Sequence, residues 1–138
     1  MPTVPARDFS GSEQGVHYLR KDVTFNDIGK VVTVGAIPAR SQILDLISGV
    51  FVTTVFGGTT PVLDVGTTRS TSTGDLFATN ISLGTAAFVA LDEAATQTNV
   101  DTWYVSVDTV ITASCAVSSG TATVGQGQIV IAYVPPDR

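Results

Sequence analysis

The side chains that most often perform catalysis are scarce in this sequence. Its 138 residues include one histidine, one cysteine and two lysines, and no basic residue lies between Arg69 and Arg138. Nucleophilic catalysis requires a nucleophile, a base and an orienting group within hydrogen-bonding distance. A closed zinc site requires several clustered ligands. The composition therefore disfavours both an active site and a zinc centre.

The single histidine and the single cysteine are better explained by packing than by chemistry. His17 falls on the apolar parity of an alternating segment, which predicts a packed structural histidine rather than a general base. Cys115 lies in the apolar run ITASCAV, which predicts a small buried hydrophobic side chain rather than a reactive thiol. As the only cysteine, it has no partner for an intramolecular disulfide.

Acidic side chains supply the remaining candidates for chemistry. One loop carries four oxygen-bearing side chains whose spacing matches no EF-hand and favours a solvated loop: Asp92, Glu93, Asn99 and Asp101. A carboxylate pair for glycoside hydrolysis stays open, because such pairs come from distant residues. Three acids fall within strand patterns at solvent-facing positions, where acids also prevent edge pairing: Asp45, Asp64 and Asp108. We predict no catalytic residue, no metal site and no cofactor.

The overall charge and hydropathy restrict the classes of partner. The net charge is −5 and the pI about 4.4, so the chain lacks the cations that bind phosphates, and we predict no nucleic-acid partner. No apolar stretch reaches the ~20 residues that span a bilayer, so we predict no membrane partner. Charged residues make up 14% of the chain and the mean hydropathy is +0.33, which predicts apolar surface beyond the needs of one small core. Oligomerisation or docking onto a partner would cover that surface.

Most of the basic residues lie in the first third of the chain: Arg7, Arg20, Lys21, Lys30 and Arg40. This asymmetry is compatible either with a face that meets an acidic partner or with solvated strand edges. Because the charges form no continuous block, we favour solvated strand edges.

Short apolar runs rich in Thr and Val, broken by Gly, Ser, Asn and Asp, continue along the whole sequence. About eight short strands with regularly spaced turn signals fit this pattern, and no segment has the period of an amphipathic helix. The sequence therefore predicts an all-β fold, an antiparallel β-sandwich that is jelly-roll-like, with an extended N-terminal arm. We assign residues 1–15 to an extended or flexible arm and residues 16–138 to a single β-sandwich domain.

Alternation and turn residues predict the strand boundaries. Strands are predicted over residues 17–25, 30–37, 62–66, 87–91, 103–107, 111–117 and 121–134. Whether Asp108 marks a kink between two strands is left open. The run 42–56 is too long for one flat strand and is predicted to bend or bulge at Ser48-Gly49.

Turn chemistry adds further predictions. Gly29 is placed for a positive φ, residues 57–60 predict a hairpin loop, and Asp75 predicts a capped helical turn over residues 75–80. Residues 67–74 and 92–101 are predicted surface loops. In the last strand, Gly125 and Gly127 predict a bulge. Its segment IVIAYV is apolar on both parities, which predicts a strand covered on both faces.

Two segments carry a resemblance to a known family. Residues 34–68, VGAIPARSQILDLISGVFVTTVFGGTTPVLDVGTT, and the terminal strand TATVGQGQIVIAYV resemble small proteins of tailed bacteriophages that are encoded beside the major capsid protein. Proteins of that kind are found on the head as decoration or cement proteins. The similarity extends from about Val31 to Val134.

The resemblance implies a β-sandwich on the outer surface of the virion, made in the bacterial cytoplasm, that bridges neighbouring capsid subunits. The implied partners are the phage major capsid protein and the chain itself, as a dimer or trimer, and no catalytic residue is carried over. The contact residues that we predict lie in the arm and at outward positions of two strands: Arg7, Asp8, Phe9, Tyr18, Val130 and Val134.

The alternative is a carbohydrate- or receptor-binding β-sandwich module of a virion. This alternative predicts an exposed aromatic platform, with Trp103 and Tyr104 as candidates, or a calcium-bound loop at residues 92–101. Alternation sends Trp103 and Tyr104 to opposite faces of their strand, which argues against a platform that uses both.

Overall fold

The computed structural model describes residues 15–67, 77–91 and 104–136, and these form strands joined by turns and one short 3₁₀ turn. Every strand pair is antiparallel, which confirms the predicted all-β antiparallel fold. Residues 1–14 lie outside the described part, so the N-terminal arm and the division into arm and domain stay predictions. The strands are β1 His17–Thr24, β2 Val31–Ile37, β3 Ser41–Ile43, β4 Gly49–Thr54, β5 Val62–Thr67, β6 Ala78–Ser82, β7 Phe88–Ala90, β8 Tyr104–Val105, β9 Thr109–Ala116 and β10 Gln126–Val134.

The strands form two sheets that face each other across the core. In the six-stranded sheet, β10 pairs with β1 on one side and with β4 and β3 in succession on the other; β7 lies beyond β4 and β8 beyond β3. The four-stranded sheet has the order β2-β9-β5-β6. The first strand therefore pairs with the last in one sheet, and the second pairs with the ninth in the other.

Alternation along the strands builds the core. Inward positions of both sheets carry aliphatic side chains without solvent exposure, among them Val23, Ile129, Leu63 and Ile111. Fully burying one such side chain contributes about 1.5–3 kcal/mol. β-Branched residues dominate these positions because they pack well on a pleated surface.

The last strand is covered on both faces, as its sequence predicts. Residues 129–133 are all buried, although Val130 and Ala132 project away from the core that Ile129 and Ile131 enter. Residues 44–48 cover Ala132: the Leu44 N–H donates to its carbonyl at 2.9 Å. The buried Ser48 hydroxyl accepts a hydrogen bond from the Ala132 N–H at 2.8 Å and donates to the Ala132 carbonyl at 3.3 Å.

The long run 42–56 is interrupted where the sequence predicts, at Ser48-Gly49, because residues 44–48 form a turn between β3 and β4. Both strands pair with β10, β3 near its end and β4 near its beginning. The register between β10 and β4 shifts near the predicted bulge, between Gln126 and Gly127, but the extra residue is Thr53 of β4, and β10 itself pairs with β1 without interruption. Gly29 has the predicted positive φ, 83°.

Three local predictions need correction. The helical turn predicted over residues 75–80 is wrong for residues 78–80, which belong to β6, because pairing with β5 satisfies more backbone groups than a single turn. Residues 57–60 are a crossover between the two sheets and not a hairpin loop, since β4 and β5 belong to different sheets. β10 begins at Gln126 and not at residue 121, because the Val124 and Gly125 carbonyls accept from the N–H groups of Gly57 and Phe25 in neighbouring loops.

A kink at Asp108 is present. It separates β8, which belongs to the six-stranded sheet, from β9, which belongs to the four-stranded sheet. The Asp108 carboxylate accepts a hydrogen bond from the Ala39 N–H at 2.8 Å, which joins this turn to the one between β2 and β3.

Replacing Ser48 by Ala should destabilise the fold. The change leaves the buried Ala132 N–H without the hydroxyl that accepts from it, and an unsatisfied buried donor lowers the free energy of unfolding by about 1–3 kcal/mol. Chemical denaturation of both variants measures the difference. Ser118→Ala is the matched control, because its exposed hydroxyl donates to the Thr59 carbonyl and its loss should change stability by less than about 0.5 kcal/mol. Equal effects in the two variants would contradict the bridging role of Ser48.

Candidate protein-binding face

The single histidine lies at the start of β1, half-buried, with its ring against that of Tyr133 at a centroid distance of 5.6 Å and a tilt of 57°. This ring contact belongs to packing between β1 and β10, which pair at His17 and Tyr133. Among residues 15–67, 77–91 and 104–136, no group of three or more His, Cys, Asp or Glu side chains could hold a metal ion.

Cys115 is buried in the core, as predicted. Burial, together with the negative charges of Asp27 and Asp64, raises the pKa of its thiol to about 12, and burial is the largest cause. The thiol is therefore protonated at neutral pH, and only the thiolate is a nucleophile.

Two of the three strand acids are engaged by backbone amides in different parts of the fold. The Asp64 carboxylate accepts from the Asn80 N–H at 2.8 Å, within the β5–β6 pair, and Asp108 accepts from the Ala39 N–H. Asp45 lies in the turn between β3 and β4. The acidic loop 92–101 and Trp103 lie outside the described residues, so the calcium loop and the aromatic platform stay predictions.

The basic residues of the described part lie mainly on strand edges. Arg20 and Lys21 belong to β1, the edge of the six-stranded sheet, and Lys30 directly precedes β2, the edge of the four-stranded sheet. Lys21 has the inward parity of β1, because it pairs in register with the fully buried Ile129. Its side chain is nevertheless exposed. An inward-pointing charge on an edge strand blocks edge-to-edge pairing with another chain.

One surface of the protein combines the exposed aromatic side chains of Tyr18 and Phe51 with charged and amide side chains, and it is the side of the six-stranded sheet that faces away from the core. We call it the outer face and define it by the side chains of Tyr18, Arg20, Asp22, Phe51, Phe88, Gln128 and Val130. Strand register arranges these side chains in rows across the sheet. One row contains Asp22, Gln128, Phe51 and Phe88, and the next contains Arg20, Val130, Gly49 and Ala90.

Phe51 is the central projection of the outer face. It is 45% exposed, and its ring packs against that of Phe88 at a centroid distance of 4.5 Å and a tilt of 40°. In the neighbouring row Gly49 and Ala90 are buried, with the β7 backbone lying against Gly49, and Val130 is only 8% exposed. Phe51 and Phe88 therefore form a ridge, and the open space beside it lies next to Val130.

Two adjoining depressions flank Phe51 and Gln128. The first has a volume of about 410 Å³ and is lined by Tyr18, Arg20, Ile47, Phe51, Gln128 and Val130. The second has a volume of about 400 Å³ and is lined by Asp22, Phe51, Thr53, Gln126, Gly127 and Gln128. The Gln128 side-chain amide donates to the Asp22 carboxylate at 3.0 Å, which fixes the polar border between strands β1 and β10.

The six predicted contact residues are not all in one place. Tyr18, 51% exposed, and Val130 line the same depression. Val134 is 37% exposed at the end of β10, opposite Gln42, and does not line either depression. Arg7, Asp8 and Phe9 lie outside the described residues.

Sequence reasoning missed Phe51 and Phe88 of the outer face and also Ile47, which lines the first depression at its border. Phe51 stands between Val50 and Val52 in an entirely apolar run, so hydrophobic alternation cannot tell its outward position from its inward neighbours. The usable signal is the apolar character of the last strand on both parities, which indicates a second covered face but not the partner strands that complete it.

No helix in the described part of the chain combines the length and apolar character needed to cross a membrane.

Comparisons with known proteins find a shared fold. No family model and no curated protein matches the sequence. The chain is similar to a chain in the acidic stable capsid structure of Helicobacter pylori bacteriophage KHP30, with a TM-score of 0.59 and 14% identity over 91% of both chains. It is also similar to a chain of the capsid asymmetric unit of cyanophage Pam1, with a TM-score of 0.57 and 19% identity over 99% of this chain and 98% of that one.

The buried thiol makes a prediction about pH. Because folding raises the pKa of Cys115 from 9.0 to about 12, the unfolded chain loses its thiol proton first, and stability falls as the pH rises from about 9 towards 12. Below pH 9 this contribution is complete. Comparing Cys115→Ala with the parent chain by denaturation at several pH values isolates it: the parent should lose more stability across this window than the variant. Parallel losses in the two proteins would show that the thiol does not contribute.

Proposed function

We propose that this protein is a structural component of a bacteriophage virion that binds the outside of the capsid and stabilises contacts between major capsid protein subunits. The observation that carries the proposal is the shared fold, over at least nine-tenths of both chains, with chains from two phage capsid structures. The sequence resemblance to decoration and cement proteins, which extends from about Val31 to Val134, supports the finer role.

The winding of the chain is compatible with this function. Pairing of the first strand with the last, and of the second with the ninth, resembles the winding of a jelly roll. Jelly rolls occur in viral capsid domains and in lectins, so the topology supports a virion protein without separating a capsid-binding role from a sugar-binding one.

The surface favours protein contacts over chemistry. The outer face carries Phe51 and Tyr18 in exposed positions, Ile47 is exposed at the border of the adjoining depression, and such apolar patches mark interaction sites. The candidates for catalysis are instead used in the fold: the Cys115 thiol is buried and protonated, and Asp64 and Asp108 bind backbone amides. We therefore propose a role without catalysis.

Stabilisation would come from repeated protein contacts. Specific interfaces bury roughly 800 Å² on each partner. On a repeating capsid lattice, linked binding events reinforce one another, so even weak single contacts hold a bridging protein in place. The proposed partners are the major capsid protein and the chain itself, as a dimer or trimer, with Arg7, Asp8 and Phe9 of the arm among the contacts. The proposed location is the outer capsid surface, after synthesis in the bacterial cytoplasm.

A second candidate function is binding of a carbohydrate or receptor at the virion surface. One observation favours it: the second depression places the Phe51 ring beside the polar side chains of Asp22, Gln126 and Gln128. An apolar wall with a few convergent polar groups is the general composition of a small-ligand site.

Binding to emptied phage heads tests the proposed function. Heads of the encoding phage, stripped of this protein, should co-sediment with the purified chain, and their melting temperature should rise. Phe9→Ala should weaken binding, because it removes the apolar anchor of the predicted arm. Val124→Ala is the matched control, since Val124 is exposed in the loop before β10 and lines neither depression. Absence of both head binding and self-association would overturn the proposal.

The same preparation tests the second function. Glycan-array screening with and without a chelator should show no specific signal if the protein serves only capsid contacts. A saturable glycan signal that is lost in Phe51→Ala, together with unchanged head stability, would favour the carbohydrate-binding role instead.

A further inference from the structure

We propose that the outer face binds a second copy of this chain, so that two copies pack face to face around a two-fold axis. The inference rests on the proposed function, in which the chain assembles with itself, and deepens it by naming the surface, the symmetry and the pairs of residues that meet. Its basis is the self-complementary order of the two rows on the outer face.

The register of the strands fixes which residues such an axis would exchange. Lys21, Ile129, Val50 and Val89 lie at one level across the sheet, and their parity is inward. We place a two-fold axis between the outer faces of the two copies, perpendicular to the strands and at this level. Each strand then lies over the same strand of the partner, and the two strands run in opposite directions. The row on one side of the axis then faces the row from the other side in the partner.

Charges match under this exchange. Arg20 and Asp22 are both exposed, project from the same side of β1 and flank Lys21. The rotation brings Arg20 opposite the partner's Asp22, and Asp22 opposite the partner's Arg20. Each dimer therefore contains two pairs of opposite charge, and an isologous interface always repeats its contacts in this way.

Shapes match as well. The rotation brings the Phe51–Phe88 ridge of one copy over the row of Val130, Gly49 and Ala90 in the other. The depression of about 410 Å³ beside Val130 has room for the ring that projects from the partner. Phe51 supplies the projection and also lines the receiving depression, so one face contains both halves of the fit.

The available area is that of a weak dimer. The four strands β10, β1, β4 and β7 have nine, eight, six and three residues. With about 3.4 Å per residue and about 4.8 Å between strands, they give a flat area of about 420 Å² on each copy. The total of about 850 Å² is in the range of weak, transient interfaces, which bury less than about 1,200 Å². Sheets packed face to face keep their strands within about 30° of each other, which a two-fold axis nearly perpendicular to the strands allows.

Charge reversal tests the pairing directly. Sedimentation velocity over a wide range of concentration should show that the parent chain dimerises. R20D and D22R should each weaken dimerisation at least about tenfold, because each places like charges at both contacts. An equimolar mixture of the R20D and D22R chains should recover dimers, since opposite charges then meet at both contacts, and the double variant R20D/D22R should dimerise alone.

K21D is the matched control. It reverses a charge on the same strand, between the two test positions, but its side chain has the inward parity, so dimerisation should be unchanged. Phe51→Ala should weaken dimerisation through loss of the ridge, whereas Val124→Ala should not. Circular dichroism confirms that each variant is folded.

The outcomes separate this inference from the proposed function. A parent chain that stays monomeric, or single variants that dimerise as the parent does, would overturn the inference. A trimer, or a mixture of R20D and D22R that fails to recover dimers, would place the self-contact elsewhere and overturn it too. Head binding is measured separately, so a monomer that still binds and stabilises heads leaves the proposed function standing.

Discussion

The pairing of β10 with three other strands is the constraint on which the rest of this structure depends. β1 covers one edge of β10 from Gln126 to Tyr133, while β4 and β3 share the other edge. A strand in the middle of a sheet has the N–H and C=O groups of both edges in hydrogen bonds. Its side chains therefore determine what each face of the strand can contact. Here the inward side chains give the core one wall, and the outward ones, among them Gln128, Val130 and Ala132, lie on the opposite side of the sheet.

The break between β3 and β4 follows from that constraint. One uninterrupted strand would pair with β10 throughout and leave Ala132 open on the outer face; instead, residues 44–48 fold over Ala132, with Ser48 bridging its N–H and carbonyl. The same turn brings Ile47 beside Val130 and Tyr18. The turn at residues 44–48, which satisfies the backbone groups of Ala132, thus also forms one wall of the depression next to Phe51.

The sequence predicts features that depend on neighbouring residues, such as the position of a strand, but not those that depend on distant strands, such as the sheet to which a strand belongs. Alternation identifies β1, β2, β9 and β10, and the apolar parities of IVIAYV correctly indicate two covered faces. It cannot assign strands to sheets, which is why residues 57–60 read as a hairpin although they cross between sheets. For the candidate site, Tyr18 and Val130 are identified, but Phe51 and Phe88 are not, because their outward position depends on register with distant strands. Residues 78–80 read as helical for the same reason: the β5 edge that pairs with them is invisible in their own sequence.

The distribution of charge indicates how copies of this protein can meet. The edge strand β1 carries Arg20 and Lys21, and Lys30 directly precedes the edge strand β2. Charged side chains at these edges disfavour the addition of a strand from another chain. Edge-to-edge addition is open-ended and leads to fibres, whereas face-to-face packing about a two-fold axis closes after two copies. Charged edges therefore disfavour open-ended, edge-to-edge association, whereas the outer face permits closed, face-to-face packing. If the chain has the proposed role in a virion, that selection is as important as affinity, because a particle of defined size needs contacts that end where the assembly ends.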